Sequence, residues 1–186
     1  CLKNAVDLYD RLVSQFQLDS ISTMGLSDYA YVLQQSQYQL SWEEAKQALE
    51  RASEIYLFIK ANRSEEFDFS LETEYVYCQL GLYELFQGSM DDARKFTNKN
   101  IVLAKRIFKK DPTNVKCKLC LATASLHKAS HAHLKERHRL LSQTIELYEN
   151  VVKSGYKEQD FFCDYGSTLL ECAKLAPKAD KESLLR

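Results

Sequence analysis

The spacing of apolar residues constrains the fold of this chain more than any other feature. Apolar residues recur at intervals of three and four positions over most of the length, which is the period of an α-helix. In the first segment, for example, Ala5, Tyr9 and Leu12 fall on one helical face. The chain holds only five Gly and two Pro among its 186 residues, and β-branched residues are few. The sequence therefore predicts an all-α fold and argues against a sandwich, a barrel or a parallel α/β sheet.

Polar residues and helix breakers divide this pattern into eight or nine helices. Ser41 and Glu44 have the spacing of a capping box, Ser89 is predicted to cap the fifth helix, and Gly155 suits the left-handed position that follows a helix. A His-rich, basic loop is expected between the sixth helix and the seventh. The predicted helices cover residues 2–16, 24–39, 42–62, 71–87, 90–110, 115–129, 140–153 and 160–175, and a short terminal helix follows Pro177.

An internal repeat underlies this alternation of helices. Residues 39–45 align with residues 87–93 at an offset of 48 positions, with identical Gln, Ser and Ala at the matching places. Tyr29 falls on Tyr77 in the same alignment. Repeats of this kind are typical of helical hairpins that stack side by side, because each hairpin has an apolar face that only a neighbour can bury.

Several motifs resemble those of the tetratricopeptide (TPR) repeat family. They are Leu80-Gly81, Gly88, Ala93, the Asp111-Pro112-Thr113-Asn114 ending and, in the last unit, Phe162, Tyr165-Gly166 and Leu169. The resemblance implies a right-handed, TPR-like α-solenoid of antiparallel helical hairpins, with Gly81, Ala93 and Gly166 allowing close helix packing. It implies a single domain over residues 1–186 with units of roughly 1–18, 24–62, 70–110, 113–155 and 159–186.

The first helices of TPR-like stacks line a concave groove that receives a peptide or a helix. By this resemblance, the residues expected to contact a partner are Tyr31, Gln34, Tyr38, Cys78, Leu82 and Phe86. Members of the family that clamp a terminal carboxylate present Lys and Asn at positions that here are Ala30, Gln34, Cys78 and Leu82. The departure favours an apolar groove. Outside it, Phe67 and Phe69 are expected to fold back onto their hairpin, with exposed partner anchors as the alternative.

The net charge of −1 hides two oppositely charged blocks. Acidic residues predominate in residues 43–93, and basic residues predominate in residues 94–139. The basic surface expected from the second block comprises Lys99, Lys105, Arg106, Lys109, Lys110, Lys116, Lys118, Arg137 and Arg139. An acidic protein surface is the favoured partner, because no nucleic-acid motif accompanies the charge. The alternative partners are RNA and the acidic block, either of the same molecule or of a second copy in a homo-oligomer.

The six cysteines are interpreted as buried structural residues, and the four histidines are interpreted as surface residues. Cys117 and His131 are about 21 Å apart along a continuous helix, too far for one zinc ion. No metal or cofactor is therefore expected. Free buried thiols point to a reducing compartment, the cytoplasm or the nucleus. Because the chain begins with Cys1 and lacks a leader, it is expected to be a piece of a longer protein.

These features predict a non-enzymatic scaffold or adaptor that binds other proteins. The sequence contains no phosphate-binding Gly-rich loop, no nucleophile elbow and no metalloprotease motif, and so no catalytic residue is assigned. No apolar run approaches the ~18 residues of a membrane-spanning helix, and no membrane partner is expected. The alternatives are an RNA-binding or anion-binding module, and a regulatory or docking segment of a larger enzyme.

Overall fold

The fold is all-α, as predicted, with eight α-helices and no strand in the described part of the chain. A computed structural model describes residues 2–63, 68–157 and 159–175, and the side chains of residues 4–63, 68–157 and 161–175. The helices are α1 (Leu2–Gln15), α2 (Thr23–Ser36), α3 (Trp42–Asn62), α4 (Ser70–Phe86), α5 (Met90–Lys110), α6 (Val115–His131), α7 (Leu134–Lys153) and α8 (Gln159–Leu175). Two short 3-10 segments, Leu18–Ser20 and Gln37–Gln39, precede α2 and α3.

Most predicted helix ends agree with the structure because their signals are local. Glu44 Oε2 accepts a hydrogen bond from the Ser41 backbone N–H at 3.0 Å, which is part of the predicted capping box. Asp111 ends α5, as predicted. Gly155 has a φ of +81°, the left-handed conformation expected after α7.

Four predictions about the helices were wrong. α2 ends at Ser36, and Gln37–Gln39 form a 3-10 segment. Ser89 occupies the N-cap position of α5, but its side chain makes no capping hydrogen bond and instead donates to Asp92 Oδ2 at 2.9 Å. The expected His-rich loop is short, and α7 begins at Leu134, where polar side chains form ion pairs on the helix surface. Gly166 is exposed, and a Cβ there would meet no atom within 4 Å, so close packing does not require this glycine.

The chain divides into two compact units, unit 1 (Cys1–Gly88) and unit 2 (Ser89–Arg186). The boundary falls inside the predicted repeat unit of residues 70–110, because α4 packs against α3 within unit 1 and α5 packs against α6 within unit 2. Gly88, with a φ of +78°, provides the turn that ends unit 1. Cys1, Phe67 and the predicted helix after Pro177 lie outside the described residues.

Consecutive helices build the core of unit 1. α2, α3 and α4 contribute fully buried Leu26, Leu49, Tyr56 and Leu80. Phe69 stacks on Tyr56 with ring centroids 5.6 Å apart, which confirms that Phe69 folds back. The apolar core of unit 1 is therefore formed without its exposed aromatic side chains.

Three apolar clusters form the core of unit 2. One joins α5 to α6 through Ile101, Ala104, Cys117 and Cys120. The other two clusters join α6 to α7 and α8. One centres on Tyr148, with buried Ala122, Val151 and Phe161 around it. The other centres on Leu140, with buried Ala129, Leu141 and Cys172. Within the described ranges, no helix is both long enough and apolar enough to cross a membrane.

Candidate functional site

Four aromatic side chains, Tyr38, Trp42, Tyr83 and Phe86, form an aromatic surface on unit 1. The Trp42 ring centroid lies 4.3 Å from that of Tyr83 and 6.0 Å from that of Phe86. Tyr38 is 70% exposed, Trp42 41% and Phe86 74%. Tyr83 is half-buried, and Tyr38 is close enough to act electrostatically on it. Clusters of exposed aromatic side chains are typical of protein-binding surfaces.

Local structure explains why these side chains meet. Tyr38 lies in the 3-10 segment Gln37–Gln39, and Trp42 is the first residue of α3. Tyr83 and Phe86 are three positions apart in the last turn of α4, so they share one helical face. The packing of α3 against α4 then brings the two pairs together.

Tyrosine hydroxyls order one side of the aromatic surface. The hydroxyl oxygens of Tyr38 and Tyr75 lie 2.7 Å apart, and Gln37 Nε2 donates to the Tyr75 hydroxyl at 3.4 Å. Burial, followed by the bond to Tyr38, raises the pKa of Tyr75. Burial also raises the pKa of Tyr83. These hydroxyls are therefore protonated donors at neutral pH.

A cavity of about 450 Å³ opens beside the aromatic surface. Its walls include Trp42 and Tyr83, together with the charged side chains of Glu43, Lys46 and Glu84. Lys46 Nζ lies 2.7 Å from Glu84 Oε1, and this hydrogen bond raises the pKa of Lys46. The cavity thus offers apolar walls and, with two carboxylates against one ammonium, a net negative charge.

The predicted groove residues occupy three different environments. Tyr38 and Phe86 belong to the aromatic surface, and Tyr31 is exposed on α2 near Tyr56. Leu82 is half-buried. The structure contradicts the predicted surface role of the other two side chains, because Gln34 is 8% exposed and Cys78 is 6% exposed.

Packing explains the burial of these two residues. The Oε1 atom of Gln34 lies 3.5 Å from the Tyr56 hydroxyl inside unit 1. Cys78 lies on the buried face of α4. The prediction missed Trp42 and Tyr83, although Trp42 is the single tryptophan of the chain and directly follows a capping residue.

The structure divides the predicted basic surface of unit 2. Lys105, Arg106 and Lys109 are exposed on α5, and Lys116 is exposed at the start of α6. The other exposed members are Lys99, Lys110 and Arg139, whereas Lys118 and Arg137 are half-buried.

The two arginines of α7 have acidic partners within unit 2. Arg137 forms an ion pair with Glu171 of α8, and Arg139 lies 4.0 Å from Glu136. Their charges are thus partly neutralised, whereas Lys105, Arg106 and Lys109 on α5 and Lys116 at the start of α6 are exposed.

The cysteines and histidines contribute mainly to packing. Cys78, Cys117, Cys120 and Cys172 are buried free thiols, whereas Cys163 is an exposed free thiol, which the sequence analysis did not anticipate. Helix α6 is continuous, so the separation calculated for Cys117 and His131 applies. Among the described residues, no group of three or more His, Cys, Asp or Glu side chains has the geometry to hold a metal ion.

No protein-family model matches the chain, and no curated protein matches its sequence. Functional assignment therefore depends on the surfaces of the two units.

Proposed function

We propose that this chain is a protein-interaction scaffold or adaptor and that the aromatic surface of unit 1 binds a segment of another protein. The observation that carries this proposal is that Tyr38, Trp42 and Phe86 are exposed beside a cavity, whereas unit 1 has a well-buried apolar core elsewhere. Aromatic side chains of this kind supply most of the binding energy at protein interfaces.

The proposed occupant is an amphipathic helix or extended segment whose apolar anchor residues are followed by Lys or Arg. The apolar anchors fit the faces of Trp42 and Tyr83, and the basic side chain complements Glu43 and Glu84 in the cavity. The Lys46 ammonium is already paired with Glu84, so it opposes a basic group only weakly.

We also propose that the helices within each unit are arranged as antiparallel hairpins of a right-handed, TPR-like α-solenoid. The sequential packing of α1 to α4 and of α5 to α8 supports this arrangement. The cluster in which Ile101 and Ile107 meet Cys117 and Cys120 across the α5–α6 turn supports the hairpin pairing. The buried free thiols support a cytoplasmic or nuclear location.

The exposed basic side chains on α5 and the start of α6 provide a second surface, for which we propose an acidic protein partner. Lys105, Arg106 and Lys109 are exposed there. Charge reversal at Lys105 and Lys109 is expected to weaken such a complex chiefly through its association rate, and increasing salt is expected to have the same effect.

A peptide-display selection tests the aromatic surface directly. Purified protein is used to select peptides, and the selected peptides are titrated while the fluorescence of Trp42 is recorded. We expect sequences with apolar anchors next to Lys or Arg, a change in Trp42 emission, and at least tenfold weaker binding, measured calorimetrically, to the double variant Trp42→Ser and Phe86→Ser.

The matched control is Leu57→Ser, which removes another exposed apolar side chain from α3. Circular dichroism verifies that all variants retain their helicity. Equal affinity of the selected peptides for the wild type and for the double variant would refute the assignment of the aromatic surface.

A further inference from the structure

A second cavity, the basic cavity, lies within unit 2 where the start of α5, the end of α6 and the start of α7 meet. Its volume is about 360 Å³. The residues that matter for its chemistry are Arg94, Thr97, Lys128, His131, His133 and Glu136. Arg94 and Lys128 both belong to the basic block of residues 94–139.

The cationic side chains of the basic cavity have only weak acidic partners. Arg94 Nη1 lies 3.4 Å from a carboxylate oxygen of Asp91, a side chain that is almost fully in solvent. Lys128 Nζ lies 3.6 Å from Glu136 Oε1. The Arg94–Asp91 pair is exposed and the Lys128–Glu136 pair is half-buried, and ion pairs at these distances contribute little to stability, so a stronger anion can displace them.

His131 faces this positive charge directly. Burial and the nearby Arg94 lower the pKa of His131. Its Nδ1 atom is buried, and within the described part of the chain it has no hydrogen-bond partner. The other groups around it are His127 and Lys128 on α6, and His133 and Glu136 on the opposite side. An anion in the cavity would compensate the positive charge of Arg94 and Lys128 and would accept hydrogen bonds from these side chains.

The start of α7 reinforces this preference for an anion. His133 occupies the N-cap position, and its side chain makes no capping hydrogen bond. The N-terminal N–H groups of a helix carry a partial positive charge. The Thr97 hydroxyl, which is 3% exposed and donates to the Ala93 carbonyl, has free acceptor capacity for a proton on the ligand.

We propose that the basic cavity binds one phosphoryl group carried by a Ser or Thr side chain of a partner protein. Arg94 offers a planar pair of donors that matches two phosphoryl oxygens, and Lys128 adds a point charge. His131 and His133 supply further donors when protonated. Binding of a phosphorylated partner would make the interaction of unit 2 dependent on a kinase.

The lining favours a phosphoprotein over RNA. None of the described residues that line the cavity is Phe, Tyr or Trp, so the only rings available there for stacking by a base are the small imidazoles of His131 and His133. Glu136 would repel a second phosphate along a nucleic-acid backbone but accepts a hydrogen bond from a peptide N–H.

Titration with inorganic phosphate, monitored by NMR, tests the cavity without any knowledge of the partner. Phosphate is added at constant ionic strength, and the amide and imidazole resonances are recorded; N-acetyl-phosphoserine amide is then titrated, with N-acetyl-serine amide for comparison. We expect saturable shifts at Arg94, His131 and His133, a higher pKa of His131 in the bound state, and no shifts with N-acetyl-serine amide.

The variant Arg94→Gln with Lys128→Gln is expected to weaken phosphate binding at least tenfold. The control, Lys153→Gln with Lys157→Gln, removes the same charge from exposed positions of unit 2 outside the cavity and is expected to retain binding. His131→Gln provides a second variant that keeps both Arg94 and Lys128, so the test does not depend on the folding of the first variant. Equal weakening in the control, or the absence of saturable shifts, would overturn the proposal.

A further comparison separates the two kinds of phosphate carrier. Tighter binding of oligouridylate than of N-acetyl-phosphoserine amide at the same cavity would overturn the choice of a phosphoprotein. This proposal rests on the proposed protein-binding function in one respect, namely that the partner which carries the phosphate is a protein. Peptide binding at the aromatic surface, measured in the Arg94→Gln and Lys128→Gln variant, is expected to be unchanged, so the two proposals fail independently.

Discussion

Lys46 of α3 and Glu84 of α4 form an ion pair, with 2.7 Å between Nζ and Oε1, directly beside the aromatic surface. The Glu84 residue is only 5% exposed, so its carboxylate depends on Lys46 for compensation of its charge. This pair links the helix that carries Trp42 to the helix that carries Tyr83 and Phe86. We therefore expect the stability of unit 1 and the geometry of its aromatic surface to depend on the same contact.

Replacement of Lys46 by Met is expected to lower the free energy of unfolding of unit 1 by about 2 kcal/mol, because an unpaired carboxylate is left buried. Urea unfolding followed by Trp42 fluorescence measures this, since Trp42 is the only tryptophan and lies in unit 1. Addition of Glu84→Gln should recover part of the loss. The control is Glu54→Gln, at an exposed ion pair with Arg51, which should change stability by less than ~0.5 kcal/mol.

Removal of the Arg63 side chain is expected to loosen the segment that precedes α2. Arg63 Nη2 lies 3.2 Å from the Leu18 carbonyl oxygen and 3.0 Å from those of Asp19 and Ile21. Arg63→Ala should therefore cost about 2 kcal/mol and increase amide hydrogen exchange at Ile21. Lys60→Ala, at an exposed position of α3, is the control; protection of Ile21 that is equal in both variants would contradict the prediction.

Replacement of Asn100 by Leu is expected to stabilise unit 2. Asn100 is fully buried, and neither polar atom of its amide has a hydrogen-bond partner among the described residues. Leu has a similar volume and no polar group to desolvate, so a gain of about 1 kcal/mol is expected. Thermal unfolding followed by circular dichroism measures the change. A decrease in the melting temperature would mean that the amide satisfies an essential interaction.

Alanine substitutions at two glycines of unit 2 should have opposite effects. Gly166 lies inside α8 with free space around it, so Gly166→Ala should add about 0.5–1 kcal/mol through helix propensity. Gly155 has a φ of +81°, so Gly155→Ala should cost about 1 kcal/mol. Urea unfolding followed by circular dichroism compares the two. Stabilisation by both substitutions would show that the backbone at Gly155 is free to rearrange.

Unit 2 is expected to lose stability as the pH falls from 6.5 to 4. Burial, with a smaller effect of His131, lowers the pKa of His127 from 6.5 to about 4. In that window the unfolded chain binds the proton more readily than the folded chain, so acidification favours unfolding by at most about 1.4 kcal/mol per pH unit. Below pH 4 this group has no further effect.

The variant His127→Leu isolates this contribution from that of the carboxyl groups, which also titrate in acid. Urea unfolding at pH 7, 6 and 5, followed by circular dichroism, should give a shallower pH dependence for the variant than for the wild type. Parallel curves would contradict the assignment.

The success of the sequence predictions depended on the range of the interactions involved. The capping pair Ser41 and Glu44 and the left-handed Gly155 were predicted correctly, because each signal involves residues close together in the chain. The start of α7 was missed because its polar first residues look like a loop in the sequence, whereas in the structure Glu136 of α7 forms an ion pair with Lys128 of α6. Gln34 and Cys78 were assigned to a surface by resemblance, but packing buries them.

The residues of the candidate site were likewise predicted only in part. Tyr38 and Phe86 were assigned to a partner surface by resemblance to the groove positions of TPR-like stacks, whereas Trp42 and Tyr83 were not singled out. Their contact requires the end of α4 to lie beside the start of α3, and no local pattern contains that information.

The periodicity of apolar residues and the chemistry of the helix ends were sufficient to establish an all-α chain and most of its helix boundaries, because backbone hydrogen bonding and capping act over a few residues. Packing between helices decided which flank of each helix stays in solvent, and it gathered Tyr38, Trp42, Tyr83 and Phe86 into one surface and Arg94, Lys128 and His131 into one cavity. Side chains distant in the chain become neighbours only when buried surfaces fit together, and that fit is a property of the whole unit.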